Sequence, residues 1–176
     1  VALIAQGLAL RHARRLLPIT LLSLDNLPSN GRVLRGRVLA FADGLDSPSL
    51  VDWIAQHCTF PCSMVDRIVP RTTDADRDQI SAALGVRDAW PVVAEPFIDW
   101  VLEDRFAAGR PAWPGVRYVA SQDDVAAWER LKLRMVNGAH SALAYLSVSA
   151  GWPTVDVAMA QPALRGYLDA LLRDEV

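Results

Sequence analysis

The chain has 176 residues, of which 52% are hydrophobic and 22% are charged. This composition is typical of globular proteins, and the length fits one domain or parts of two. Eighteen Lys and Arg against twenty Asp and Glu leave a net charge of -2, which lacks the basic excess of a nucleic-acid-binding domain. Two cysteines cannot by themselves build a disulfide framework or a four-ligand zinc site. We therefore expect a cytoplasmic protein without a nucleic-acid partner.

Both ends of the chain lie in or beside apolar helical patterns. Val1 falls inside such a pattern, and Val176 directly follows another, so we expect a piece of a longer protein. The arginines near the start follow the apolar run, which is the reverse of a secretory signal. The uncharged stretch from 135 to 155 is long enough to span a bilayer. Because it contains Asn, His, Ser and Pro, we predict no membrane segment.

The first sixty residues alternate between helical and extended patterns. Residues 1–16 predict a helix that ends near Pro18. The apolar run 19–24 predicts a buried strand, and turn residues at 29–31 and Pro48 introduce two further helices. Asp25 and Asn26 follow the predicted strand, at the edge where open α/β sheets bind ligands. A plain Asx turn explains these two residues equally well.

Residues 60–120 predict short strands separated by one helix and by turns. Residues 60–69 are expected to be extended, residues 74–84 to form a helix closed by Gly85, residues 92–102 to form one or two strands, and residues 116–119 to form the last strand. Long helical patterns begin at Asp123 and are broken near Pro153. The sequence therefore predicts an α/β part over residues 1–120 and a mainly helical part over residues 121–176.

The segment 123–148 predicts one long helix with a buried apolar stripe. Its apolar residues recur every three or four positions, at Val125, Trp128, Leu131, Met135, Ala139, Leu143 and Leu146. At about 100° per residue, Lys132 falls inside this apolar arc. On the same scale Glu129, His140 and Asn137 lie roughly 60°, 80° and 140° from Lys132.

A lysine within an apolar arc has several explanations. It can extend its amine to solvent, pair with an acid, or lose its proton more readily because burial disfavours the charged form. Pattern alone favours a pair between Lys132 and Glu129, and a structural role for His140. Asn137 and Gly138 both disfavour helix interiors. Because these anomalies share one side of one helix, a functional site there is about as well supported as a structural one.

The remaining polar residues give weaker signals. Asp66 lies between apolar residues beside Arg67, which favours structural pairing, and Cys58 and Cys62 lack the spacing of a redox motif and favour buried thiols. Acids at 95 and 103–104 have no nearby histidine, so we predict salt bridges there and no metal site. The chain contains no G-x-G-x-x-G loop, and its residues alone reveal no nucleotide site.

Four segments together resemble a known family. They are SLDNLPSNG at 23–31, FPCSMVDRIVP at 60–70, EPFIDWVLED at 95–104 and KLRMVNGAHS at 132–141. In this order they are similar to the mannitol dehydrogenase family of metal-independent, long-chain polyol dehydrogenases, which includes mannitol dehydrogenase and fructuronate reductase. Leu24 departs from the family's usual cysteine.

The resemblance implies a fold and a set of site residues. It implies an α/β fold in which the second part of a Rossmann-like dinucleotide-binding domain precedes the start of a mainly α-helical C-terminal domain. Catalytic roles fall to Lys132 as general base, Asn137 and His140 at the reacting oxygen, Asn26 as a further oxyanion donor and Glu129 in proton passage. Asp66 would contact substrate hydroxyls. No residue is assigned to the cofactor, because the family's Gly-rich loop is not in this chain.

The resemblance also implies an activity. We expect an NAD(P)-dependent oxidoreductase that interconverts a polyol or sugar acid and its ketose or keto-acid, with NAD as the first choice of cofactor and NADP as the alternative. Mannitol and fructose are the first-choice pair, and the mannonate and fructuronate pair of a fructuronate reductase is the close alternative. A hypothesis of another class is a truncated, non-catalytic or partner-binding piece. The sequence does not distinguish a monomer from an oligomer.

Overall fold

The computed structural model describes residues 1–175, which divide into two compact units, residues 1–122 and residues 123–175. Short helices and three strands form the first unit, and helices form the second. Within residues 1–175 no helix combines the length and apolarity that a membrane crossing requires.

Three helices open the first unit. They are α1 (Ala2–Ala13), α2 (Asn30–Asp43) and α3 (Pro48–His57), and they pack on one another around a shared apolar cluster. Pro48 occupies the first turn of α3, where its missing N–H costs nothing. The buried members of the cluster are Leu8, Leu21, Val38, Ala42, Leu50, Ile54, Cys58 and Phe60.

The chain between α1 and α2 differs from the predicted strand. Residues 19–24 are extended but make only one isolated parallel bridge, between Thr20 and Thr59. Its hydrogen bonds run from Leu21 N to Thr59 O, at 2.9 Å, and from Thr59 N to Ile19 O, at 3.4 Å. An apolar run supplies the tendency to extend, but a regular strand also needs a partner held in register.

A three-stranded mixed sheet follows, in the order β1-β2-β3. Strand β1 (Ser63–Asp66) pairs antiparallel with β2 (Asp99–Glu103), and β2 pairs parallel with β3 (Val116–Val119). Ser63 lies opposite Leu102, and Asp66 lies opposite Asp99. Only the end of the predicted 92–102 region forms a strand, because residues 92–98 contribute no ladder and Val92 is exposed.

Helix α4 (Asp74–Leu84) connects β1 to the region before β2. Thr73 and Asp76 form a reciprocal capping box at its start, and Gly85 ends it in the left-handed conformation, with φ of +69°. The predicted bounds of this helix are therefore confirmed.

The second unit is built around one long helical stretch. Helix α5 (Gln122–Leu131) continues through a π-helical segment, Lys132–Gly138, into α6 (Ala139–Ala150). Helices α7 (Val155–Met159) and α8 (Pro162–Ala170) and a second π-helical segment, Leu171–Glu175, complete the unit. Its core contains Leu143, Ala158, Leu164 and Leu168.

The buried stripe predicted along this stretch is wrong in part. Val125 and Leu143 are buried, but Leu131, Met135 and Leu146 are 49%, 37% and 40% exposed. The predicted stripe comes from a helical wheel, which places residues about 100° apart as in a uniform α-helix. A π segment turns the chain less per residue and therefore changes which side chains share a face. Lys132, at 8% exposed, is buried instead of its apolar neighbour Leu131.

Candidate active site

The predicted site residues fall into two groups, one in each unit. Asn26 and Asp66 lie in the first unit, and Glu129, Lys132, Asn137 and His140 lie in the second. Lys132 is buried, while Glu129, Asn137 and Asp66 are half-buried and Asn26 and His140 are exposed.

The π segment arranges the second group. Each N–H in a π-helix bonds the carbonyl five residues back, so residues five apart lie on the same side of the helix, about one turn apart. Lys132 and Asn137 are five apart, and His140 follows Asn137 by three residues where the α-helix resumes. The wheel put Asn137 roughly 140° from Lys132, and this angle is corrected because the segment is not α-helical. All three residues follow one side of the helix.

Hydrogen bonds at the end of the π segment hold its backbone. Ser141 Oγ donates to Asn137 O at 2.9 Å, and Ala139 N donates to Val136 O. Asn137 and Gly138 are poor formers of an α-helix interior, and here they fall at the end of the π segment, where the two helical forms meet. π-Helices are rare, and where short π segments interrupt an α-helix they are often found at functional sites.

The side chain of a buried asparagine, Asn30, forms hydrogen bonds to the loop that carries Asn26. Asn30, 1% exposed at the start of α2, accepts a hydrogen bond from Ser63 N at 2.9 Å through its Oδ1. Its Nδ2 lies 2.9 Å from Ser63 O and 3.0 Å from Asp25 O, with Ser23 O at 3.2 Å. Ser63 Oγ donates to Ser23 O at 2.7 Å. These three residues, Asn30, Ser63 and Ser23, form what we call the Asn30 clamp.

The Asn30 clamp joins the loop of Asn26 to strand β1, whose last residue is Asp66. Leu27 N donates to Asp25 O at 2.8 Å, so the chain turns tightly around Asn26. Ser29 takes a left-handed φ of +52°, which is uncommon for a residue with a side chain. Sequence reasoning read residues 29–31 only as turn and cap residues and missed Asn30 and Ser63, because nothing local to either residue reveals contacts across 33 positions.

The acids considered as metal ligands have other partners. Asp104 pairs with Arg110 at 2.8 Å, which confirms the predicted salt bridging at that position. Glu103, 9% exposed, accepts a hydrogen bond from Cys62 N at 2.9 Å, and Glu95 accepts one from Ile68 N at 2.7 Å. Within residues 1–175 no cluster of three or more His, Cys, Asp or Glu side chains is arranged to hold a metal ion.

One apolar cleft of about 250 Å³ lies on the first unit, lined by residues that include Ile19, Phe106 and Trp113. None of the predicted site residues lines it.

Solved structures resemble the whole chain. A substrate-free D-sorbitol dehydrogenase is 39% identical and superposes with a TM-score of 0.82, over 96% of this chain and 34% of that one. The mannitol 2-dehydrogenase of Pseudomonas fluorescens, in ternary complex with NAD and D-mannitol, is 43% identical with a TM-score of 0.74, over 98% of this chain and 35% of that one.

Curated relatives agree with these structures. An uncharacterized oxidoreductase of Escherichia coli K12, YeiQ, is 46% identical over 98% of this chain and 35% of its own length. The mannitol 2-dehydrogenase of Phaeosphaeria nodorum is 44% identical over 97% of this chain and 30% of its own length. The chain thus spans about a third of the length of the curated relatives it matches.

Two family models match the chain in sequence order. The mannitol dehydrogenase Rossmann domain matches residues 1–115, and the mannitol dehydrogenase C-terminal domain matches residues 124–176. The predicted fold class, a Rossmann-like domain followed by a mainly helical one, is therefore confirmed. The chain belongs to the mannitol dehydrogenase family.

Proposed function

We propose that the protein is an NAD-dependent polyol dehydrogenase that oxidises a secondary alcohol of the mannitol type to the ketose, with Lys132 as the general base. The observation that carries the proposal is the buried Lys132 at the start of a π segment that aligns it with Asn137 and His140. Relatives named mannitol 2-dehydrogenase, at 41–44% identity over nearly all of this chain, support the substrate class.

The residues fit the chemistry that such a reaction requires. When NAD is bound, its nicotinamide accepts the hydride. The protein must then take the hydroxyl proton and stabilise the charge that develops on the oxygen. Lys132 is buried, and a positioned lysine amine is one of the side-chain groups that act as general bases.

The other proposed roles follow from the donors and acceptors available. Asn26, Asn137 and His140 carry N–H donors, which can hold the reacting oxygen as its charge grows. Glu129, three residues before Lys132, is proposed to pass the proton onward, and Asp66 to accept hydrogen bonds from substrate hydroxyls. No residue of the chain is assigned to the phosphates of the cofactor, and no step needs a metal.

The activity test uses the protein expressed from its full reading frame. We expect the absorbance of reduced nicotinamide to rise with NAD and mannitol, and a panel with sorbitol and mannonate to rank the substrates. If none of these alcohols is oxidised with NAD or with NADP, the proposed function is wrong.

The role of Lys132 has its own test. Because a positioned general base contributes about 10²- to 10⁴-fold, we expect Lys132→Ala to lower kcat by about 10²-fold or more, and added methylamine to restore part of it. Arg134→Ala is the matched control, since it removes an exposed cation from the same π segment and should leave kcat unchanged. An unchanged kcat in Lys132→Ala removes this residue from the mechanism.

A further inference from the structure

We propose that the Asn30 clamp is a positioning device for catalysis: Asn30 and Ser63 fix the loop that presents Asn26 to the reacting oxygen. The proposal rests on the proposed function, because it assumes that Asn26 is an oxyanion donor. It assigns a task to two buried residues, Asn30 and Ser63, which are 1% and 2% exposed.

The first argument is the way in which Asn30 uses its side chain. A carboxamide has two N–H groups and one carbonyl oxygen. The shortest contacts of Asn30 give one N–H to Ser63 O, the other to Asp25 O, and the carbonyl to Ser63 N. Because Asp25 directly precedes Asn26, the clamp fixes the backbone from which the Asn26 side chain projects.

The second argument is that the other half of the clamp is itself held. The backbone N–H groups of Cys62 and Ser63 both donate to side chains from other elements, to Glu103 of β2 and to Asn30 of α2. Cys62 O also accepts from Glu103 N at 2.9 Å. The start of β1 is therefore a rigid reference against which Asn30 and the loop are placed.

The third argument is contact between backbones. An added Cβ at Gly31 would lie 2.5 Å from both Phe60 O and Pro61 O. The first turn of α2 is thus in direct contact with the chain that leads into β1. This contact leaves little room for Asn30 to move relative to Ser63. A catalytic donor must be held within a fraction of an ångström, since a displacement of about 1 Å costs roughly 10²-fold in rate.

The clamp also links two proposed contacts with the substrate. Strand β1 begins at Ser63, which the clamp holds, and ends at Asp66. All four residues of β1 pair with β2, and this pairing limits bending of the strand. The clamp thus contacts β1 only at Ser63, while the remainder of the strand, including Asp66, is held by its pairing with β2.

The test is a double-mutant cycle on kcat in the protein from the full reading frame. Asn30→Ala removes all the side-chain contacts and is prone to unfold, so the working variant is Ser63→Ala. It removes only the hydroxyl, which donates to Ser23 O at 2.7 Å and accepts from Asn30 Nδ2 at 3.2 Å. We expect Ser63→Ala to lower kcat about tenfold with KM unchanged, because a loosened loop misplaces Asn26 by less than 1 Å. In the Asn26→Ala background we expect Ser63→Ala to lower kcat no further than about twofold.

A purely structural role predicts a different cycle. If Ser63→Ala lowers kcat by the same factor with and without Asn26, the clamp does not act through Asn26 and the proposal is overturned. Ser147→Ala is the matched control, because Ser147 is also buried and its hydroxyl donates to a backbone carbonyl, Leu143 O, at 2.6 Å. It should leave kcat unchanged.

Amide hydrogen exchange separates this proposal from the proposed function. We expect Ser63→Ala to speed exchange in peptides that cover residues 24–28, while Ser147→Ala leaves these peptides unchanged. If the wild type oxidises no alcohol, the proposed function fails, and unchanged exchange over residues 24–28 overturns the clamp independently of any activity.

Discussion

Gly31 offers a direct test of the backbone contact between α2 and the chain entering β1. An added Cβ would meet Phe60 O and Pro61 O at 2.5 Å and Pro61 C at 2.6 Å. All three are backbone atoms, so no side chain can rotate away. The entering chain is held by the bonds of Cys62 N and Ser63 N, and Gly31→Ala must therefore lift α2 by nearly 1 Å to restore ordinary contacts.

The size of the effect follows from two opposing terms. Overpacking of a fixed site costs up to about 3 kcal/mol, and alanine regains about 1 kcal/mol over glycine as a helix former. We therefore expect Gly31→Ala to lower the free energy of unfolding by about 2 kcal/mol, or the midpoint of thermal unfolding by roughly 4–8 °C.

Gly36 in the same helix is the matched control. Nothing lies within 4 Å of a Cβ added there, so Gly36→Ala gains helix propensity without a clash. We expect its midpoint to rise by roughly 2–4 °C. Thermal unfolding followed by circular dichroism gives both values, and shifts of the same sign for the two variants would refute the reasoning.

Two further predictions concern ionisable groups. Burial raises the pKa of the Cys58 thiol, and Cys58 and Cys62 are 5% and 1% exposed. We therefore expect neither thiol to react with an aromatic disulfide reagent before the protein unfolds. Rapid release of coloured thiolate from the native protein would contradict this expectation. Hydrogen bonds from the hydroxyl and backbone N–H of Thr73 hold the pKa of Asp76 below its ordinary value. Its stabilising effect is thus present above the pKa of the unfolded chain and is lost as pH falls through the lower pKa of the folded one. Asp76→Asn should lower the unfolding midpoint at neutral pH and have a diminishing effect in acid, with Asp78→Asn as control; an effect independent of pH would count against the capping box.

The elements that the sequence predicts well are those whose signals are local. Helix α4 begins at a Thr and Asp three residues apart and ends at a glycine, and each signal acts within one turn. The extended run before Asn26 is less regular than predicted, because strand pairing depends on a distant segment around Thr59. The Asn30 clamp depends on pairing across 33 residues, and no periodicity reveals it.

The helical wheel predicts the site residues of the second unit for a reason that is only partly right. The wheel detected that Lys132 does not belong on an apolar arc, and Lys132 is indeed buried. The wheel gives too large an angle between Asn137 and Lys132 and too much burial for Leu131 and Met135. The reason is that it applies the α-helical angle of about 100° per residue across the π segment as well. Catalytic roles came from the family resemblance, since burial and spacing alone do not separate a base from a paired lysine.

The π segment Lys132–Gly138 has a consequence for which changes this region can accept. Arg134 and Val136 are exposed and can vary in identity without altering the path of the backbone. A change in the number of residues is different, because one insertion or deletion between Lys132 and Asn137 turns one side chain away from the other by most of a right angle. In this stretch the length of the chain between the two polar groups is therefore constrained more strongly than the amino acids that fill it.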